Sequence, residues 1–148
     1  MFKHILVPTD GSKLSLKAVK TAAHLAKGLK ARITAIYVIP PFTPPMQSEG
    51  IAFYASYSPR EYETGMRKHA GRALAKVKAA ADAARVRSVG ISVIHDNPWK
   101  AIVKAAGAKR CDLIVMASHG RRGLAGLLIG SETQKVLTHS KTPVLVCR

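Results

Sequence analysis

The chain has 148 residues, of which 47% are hydrophobic and 22% charged, a globular composition of single-domain size. It holds only two cysteines, Cys111 and Cys147, which excludes a disulfide scaffold and leaves too few thiols for a zinc site by themselves. Lys and Arg number 24 against 8 Asp and Glu, a net charge of +16, which suggests an anionic partner, although no block of like charges forms a basic arm.

The opening Met1–Pro8 is too short in its apolar run for a signal peptide, and no run approaches a membrane span. A cytoplasmic protein without a membrane partner is the expectation. Lys3–Val7 reads as a buried strand, ended by the turn Pro8-Thr9-Asp10-Gly11-Ser12. A helix follows. Leu14, Ala18, Ala22, Leu25 and Leu29 form its apolar stripe, and Lys13, Lys17, Lys20, His24 and Lys27 lie on the opposite, solvated face. Arg32–Ile39 is a second strand rich in β-branched residues. Residues 40–59 carry five prolines and read as a long loop. A second helix runs from about Pro59 to Ala84, with Met66, Ala70, Ala73, Val77, Ala80 and Ala84 on one face. Val89–His95 is a third strand, and Asn97-Pro98 opens a short helix through about Ala106. Cys111–Ala117 is an apolar run typical of a central parallel strand. Ser118–Ile129 is a glycine-bearing loop, Gly130-Ser131 opens a last helix to about Ser140, and Pro143–Cys147 is the fifth strand. Strands alternating with helices predict an α/β fold. It is a single-domain, Rossmann-like, open twisted five-stranded parallel sheet over 1–148, with helices on both faces.

Such sheets bind ligands beyond the carboxyl ends of their strands, where strand order reverses. The two richest turns are Pro8–Ser12 and Ala117–Gly123. No GxGxxG, P-loop, GxSxG, HExxH or CxxC is present. What remains is Gly120, nine residues, then Gly130-Ser131 at a helix start. Helix-terminal N–H groups approached through glycine can receive a phosphate. Arg121 and Arg122 could add charge. Equally, Ser131 and Gln134 have the spacing of a capping box, and the two readings are compatible.

Three segments carry a resemblance. Phe2–Ser12, Cys111–Gly123, and Gly130–Thr133 with Thr142–Val146 resemble, in order, the opening strand and turn, the fourth strand and glycine loop, and the closing helix and strand of the universal stress protein family. Its ATP-binding members show G-x2-G-x9-G-[ST]. Here Gly120, Gly130 and Ser131 match, while the first glycine falls on Ala117. If that position needs a left-handed backbone, alanine costs about 1 kcal/mol; if it needs only a slim side chain, alanine is mild.

The resemblance implies an adenine nucleotide, ATP, as ligand and a stress-response or signalling role as a nucleotide-dependent switch. The alternative is a dimeric interaction module of the same fold that binds no nucleotide. Asp10 would hold the ribose hydroxyls, its plain alternative being a helix cap, and Pro8 and Thr9 would wall it. Val38 would offer backbone groups to adenine. Gly120, Gly130, Ser131, Glu132 and Thr133 would surround the phosphates, Glu132 through its backbone. His119 either approaches the phosphates or is a solvated loop residue, and Met116 is either core or pocket wall. Mg²⁺ could bridge the phosphates. No general base is evident, so the expectation is no enzyme, or at most slow ATP hydrolysis. The chain lacks the marks of a specific nucleic-acid binder. The resemblance also implies a homodimer, for which the edge strand Val144–Cys147 is the candidate. Trp99 is expected to pack rather than to stack on a base.

Overall fold

The structure is a computed structural model and describes residues 1–43, 58–120 and 129–148. The elements follow in the expected alternation: β1 (His4–Pro8), α1 (Lys13–Leu29), β2 (Arg32–Ile39), α2 (Pro59–Ala83), β3 (Ser88–Ile94), α3 (Pro98–Ala108), β4 (Leu113–Ala117), α4 (Ser131–His139) and β5 (Val144–Cys147). All pairings are parallel and the strand order is β3-β2-β1-β4-β5. The chain winds outward from β1 through β2 to β3, then crosses to the other side of β1 for β4 and β5. The order therefore reverses between β1 and β4.

Alternation along the central strands divides the core. Ile5, Val7, Ile33, Ala35, Leu113 and Val115 face Val19, Ala22 and Ala26 of α1 and Val77 and Ala81 of α2. Leu6, Ile36, Ile114 and Met116 face Ile102, Ala105 and Ala106 of α3 and Val136 of α4. The helices thus cover both faces. Tyr37 and Ile39 extend the first layer under Ala70 and Ala73 of α2.

Several boundaries differ from the sequence reading by one or two residues. Strand β4 starts at Leu113, because Cys111 still belongs to the turn that closes α3: its N–H donates to the Ala106 carbonyl at 2.8 Å. Strand β3 ends at Ile94, and the His95 N–H closes onto Ile39 O. The buried stripe of α1 is centred on Ser15, Ala18, Val19, Ala22, Ala23 and Ala26, while Leu14, Leu25 and Leu29 flank it. The stripe rotates because small residues let the helix lie close to the sheet. In α2 the buried set is Ala70, Ala73, Val77 and Ala81. The lysines of α1 are exposed as expected. Helix α2 opens with a capping box in which Ser58 and Glu61 exchange bonds. Of the predicted loop 40–59, residues 44–57 lie outside the described residues.

The amino ends of the strands are tied together by Asp112, which accepts the N–H of Lys3 at 2.7 Å and of His4 at 3.0 Å. Burial pushes the Asp112 carboxyl up, but these bonds outweigh it and hold it below the ordinary 3.8. His4 is buried, and its imidazole is held below the ordinary 6.5 by that burial first and by Arg32 second. For both groups the unfolded chain takes up its proton first as pH falls, so stability falls with it. The His4 share is present above about pH 6.5 and is lost as pH drops through its lower folded value. The Asp112 share is lost below about pH 4. Urea midpoints measured from pH 8 to 3 should therefore decline in both windows. His4→Gln should flatten the first decline and Asp112→Asn the second. Superimposable profiles for wild type and His4→Gln between pH 7 and 5 would contradict this account.

Candidate functional site

Reversal of strand order puts the turn after β1 beside the end of β4, the place where open α/β sheets form a ligand crevice. Its floor begins at Pro8, the last residue of β1, which is paired with Ile36. Thr9 continues the ladder through its N–H to Ile36 O at 3.0 Å. Its buried hydroxyl lies 3.1 Å from Ser15 Oγ and accepts the Gly11 N–H at 3.2 Å. Gly11 has φ 79°, a conformation that favours glycine. The chain thereby turns sharply into α1 and projects Asp10 upward.

Asp10 does not cap α1. That place belongs to Ser12, whose hydroxyl accepts the Ser15 N–H at 3.2 Å. Asp10 Oδ1 accepts the Ser12 N–H at 2.9 Å, which fixes the carboxylate across the turn. Its other oxygen rests against Gly120, where an added Cβ would stand 2.9 Å from Asp10 Oδ2. Gly120 is therefore needed for room: its φ lies outside the left-handed region.

On the other wall, Met116 and Ala117 are buried at the end of β4. Met116 packs with Leu6, Ile102 and Val136 and belongs to the core. Ala117 lies opposite Cys147 in the β4–β5 ladder and is not among the described residues with positive φ. The backbone there is one that alanine adopts freely, so the departure from the motif's first glycine carries no conformational strain. The Ser118 N–H donates to Cys147 O at 2.7 Å, and Ser118 O accepts the Gly130 N–H at 2.7 Å. These two bonds bring the start of α4 against the end of β4. A Cβ on Gly130 would lie 3.2 Å from Ser118 O, a tight contact that the Ser118 carbonyl would have to relieve by a few tenths of an ångström. Arg121, with Arg122 and Gly123, lies outside the described residues.

The N-terminus of α4 departs from one sequence reading. Gly130 is the N-cap and makes no side-chain cap. Ser131 is the first helical residue, so the Ser131–Gln134 capping box does not form. The Gln134 N–H is satisfied within the helix by Gly130 O at 2.9 Å. The N–H groups of Ser131, Glu132 and Thr133 occupy the first turn, where an α-helix supplies no internal acceptor. The Thr133 hydroxyl, buried, donates to Ala117 O at 2.9 Å and locks the helix to β4. His119 Nδ1 lies 3.1 Å from Ser118 Oγ, and its Nε2 is buried without a hydrogen-bond partner among the described residues. Sequence spacing alone could not place that orphaned nitrogen.

Glu132 turns away from this turn. Its Oε2 accepts the Trp99 N–H at 2.9 Å, supplying α3 with the cap that Asn97 does not make, and Lys135 reaches its Oε1 at 3.3 Å. Trp99 packs on the His139 ring with centroids 4.5 Å apart. Glu132→Ala should therefore weaken the fold by about 1 kcal/mol, as read by a thermal melt.

Val38 lies two residues beyond Ile36 on β2, so its N–H and C=O face the same side as those of Ile36. That side is the β1 edge, which β1 has left by then. The backbone of Val38 is thus presented to the crevice. No group of three His, Cys, Asp or Glu that could hold a metal occurs among the described residues. Cys111 is buried, which pushes its thiol up to about 11 and keeps it protonated at neutral pH. No helix among the described residues is long and apolar enough to cross a membrane.

The chain is a doubly wound α/β domain with Gly120 and Gly130 beside its switch point, the place where folds of this class bind ligands. The universal stress protein family model matches residues 1–148, and the chain belongs to that family. It is 36% identical over 151 residues to universal stress protein MJ0531 of Methanocaldococcus jannaschii, spanning 100% of this chain and 83% of that one. It is 32% identical to universal stress protein YxiE of Bacillus subtilis, with both chains fully covered. Among solved structures it is similar to MJ0577 of Methanocaldococcus jannaschii, with TM-score 0.79, 28% identity and coverage of 99% and 96%. It is also similar to a universal stress protein in complex with cAMP, with TM-score 0.69, 26% identity and coverage of 99% and 97%.

Proposed function

We propose that the chain binds an adenine nucleotide, ATP, in the β1–β4 crevice and acts as a nucleotide-dependent switch in a stress response. The observation that carries this reading is the juxtaposition of the Asp10 carboxylate with Gly120, beside the uncapped first turn of α4. A carboxylate offers about four lone-pair sites, so Asp10 can accept the ribose hydroxyls while keeping Ser12. Pro8 and Thr9 wall the sugar, and the backbone of Val38 meets the adenine edge. Gly120 and Gly130 admit the phosphates to the N–H groups of Ser131, Glu132 and Thr133, where the helix terminus favours negative charge. His119 Nε2, as an N–H, supplies a further donor, and Arg121 follows two residues along the chain. The cAMP complex of a relative lends support to an adenine ligand. Mg²⁺ would be held by the phosphates themselves. With Asp10 assigned to the ribose and Glu132 turned to α3, the reading includes at most slow hydrolysis.

Calorimetry with ATP and Mg²⁺ at moderate salt, beside GTP and pyrophosphate, tests it. Micromolar, adenine-selective binding that Asp10→Ala abolishes is the expected result. Binding equal for all three and erased by salt would overturn it.

The same reading includes a homodimer through the edge strand. One side of β5 pairs with β4, and Leu145 on it is 38% exposed. Two-fold pairing of β5 would cover it. Sedimentation should then show a dimer that Leu145→Lys converts to monomer; a monomeric wild type would sink this part of the reading alone.

A further inference from the structure

The end of the sheet opposite the crevice carries a feature that nucleotide binding does not use. Helices α1, α2 and α3 all end in the same turn. A basic residue, Lys30, Arg85 or Arg110, takes the left-handed conformation at φ 51°, 57° or 53°. The next residue, Ala31, Val86 or Cys111, is buried and sends its N–H back to the helix at 2.8 Å. Glycine or asparagine is the usual occupant of such a turn. Here it holds a cation three times, each next to the start of a strand.

Two of these turns border an open cavity of about 790 Å³ at the amino ends of β1, β2 and β3. Arg32 enters it from β2, Arg85 and Arg87 from the α2–β3 turn, and Lys109 from the end of α3. Lys78 on its wall is paired with Asp82 at 2.8 Å. The other nearby carboxylate, Asp112, is taken up by the N–H groups of Lys3 and His4. None of Arg32, Arg85, Arg87 and Lys109 has an ion pair among the described residues. Arg32 is held in place: its Nη2 donates to His4 Nδ1 at 3.1 Å, and the other ring nitrogen of that buried imidazole lies 2.7 Å from Thr34 Oγ1.

The plain alternative is that these cations offset the negative ends of α2 and α3. Each helix end carries about half a charge, which one cation per helix more than covers. Four cations converging on one cavity exceed that need. The cavity size suits a small molecule. Among its described lining residues there is no aromatic ring besides the His4 imidazole, which is already committed to Arg32 and Thr34, so a nucleobase has nothing to stack on. We infer that this cavity is a second anion site, selective for a compact oligophosphate, a short chain of several linked phosphates, bound chiefly by Arg32, Arg85, Arg87 and Lys109.

The test is calorimetry with sodium tripolyphosphate at 150 mM salt on the full chain. One-to-one binding is expected, with orthophosphate at matched ionic strength at least tenfold weaker. Arg85→Gly, which suits the left-handed backbone, combined with Arg87→Gln should weaken tripolyphosphate at least tenfold. Gly120→Val, which blocks the nucleotide crevice, should leave it within twofold. Lys13→Gln with Lys17→Gln removes the same charge from the solvated face of α1 and should also leave it within twofold. The inference is overturned if both double variants lose affinity equally, if orthophosphate matches tripolyphosphate, or if Gly120→Val abolishes the binding. It is equally overturned if duplex DNA binds more tightly than tripolyphosphate and with the same dependence on Arg85 and Arg87.

Discussion

Gly120→Val is expected to reduce ATP affinity at least 100-fold while lowering the melting temperature of the nucleotide-free protein only slightly. A Cβ at residue 120 would stand 2.9 Å from Asp10 Oδ2, so the carboxylate must move. The atom displaced is the end of a short side chain in a half-buried turn, and Gly120 itself is exposed. The cost to folding is that of disturbing the Asp10–Ser12 bond, about 1 kcal/mol. The cost to binding is large. Hydrogen bonds to a charged group contribute about 1.5–3 kcal/mol each, and two ribose hydroxyls are proposed to donate to Asp10. Loss of both corresponds to about a hundredfold or more, before the valine methyls intrude on the phosphates. Calorimetry beside a thermal melt separates the two effects. Undiminished affinity would show that Asp10 and Gly120 do not form the nucleotide site. Loss of affinity together with a large fall in melting temperature would show that residue 120 acts through the fold.

The second large effect is expected in the core beneath that crevice. Ile114 and Leu6 lie opposite each other on β4 and β1, the two strands that flank the reversal of order, and both are fully buried. Ile114 packs in the layer under α3 and α4 with Met116 and Val136. Ile114→Ala removes three carbons from a close-packed layer. It should cost about 2–5 kcal/mol, a large share of the roughly 5–15 kcal/mol available to a domain. A fall in melting temperature of roughly 10 °C follows for a chain of this size. Leu145→Ala on the exposed edge should cost far less. Calorimetric melts of the two variants check the ranking, and a reversal of their order would contradict this account of the core. Because Ile114 also fixes the spacing of β1 and β4, its loss should weaken nucleotide binding indirectly, in proportion to the loosening rather than to zero.

The local chemistry of the chain was legible in the residues themselves. Strand and helix periods, the two proline-bearing helix starts, and the exposed lysine face of α1 depend on neighbours a few positions apart. The parallel sheet followed from alternation alone. So did the two turns proposed to carry the site, because ligand crevices form beyond the carboxyl ends of strands that a linear reading can count. The family resemblance added proposed residue roles that spacing does not supply, such as that of the Val38 backbone.

Other features depended on contacts between residues far apart in the chain, and only the tertiary structure decided them. Whether Ser131 capped its own helix turned on the approach of Ser118 to Gly130, which makes glycine the cap instead. Whether Ala117 was a costly departure turned on its backbone angle, set by the ladder to Cys147. The direction of Glu132 was set by α3, some thirty residues away, whose terminal N–H competes for the carboxylate. Gly120 is needed because Asp10, far upstream, occupies the space a side chain would take. Lys30, Arg32, Arg85, Arg87, Lys109 and Arg110, far apart in the sequence, come to the amino ends of the strands, where three helices end in the same turn. A sequence determines each residue's propensities and its near neighbours; which distant groups share a space, and therefore which hydrogen bonds and charges compete, is decided by the packing of the whole chain.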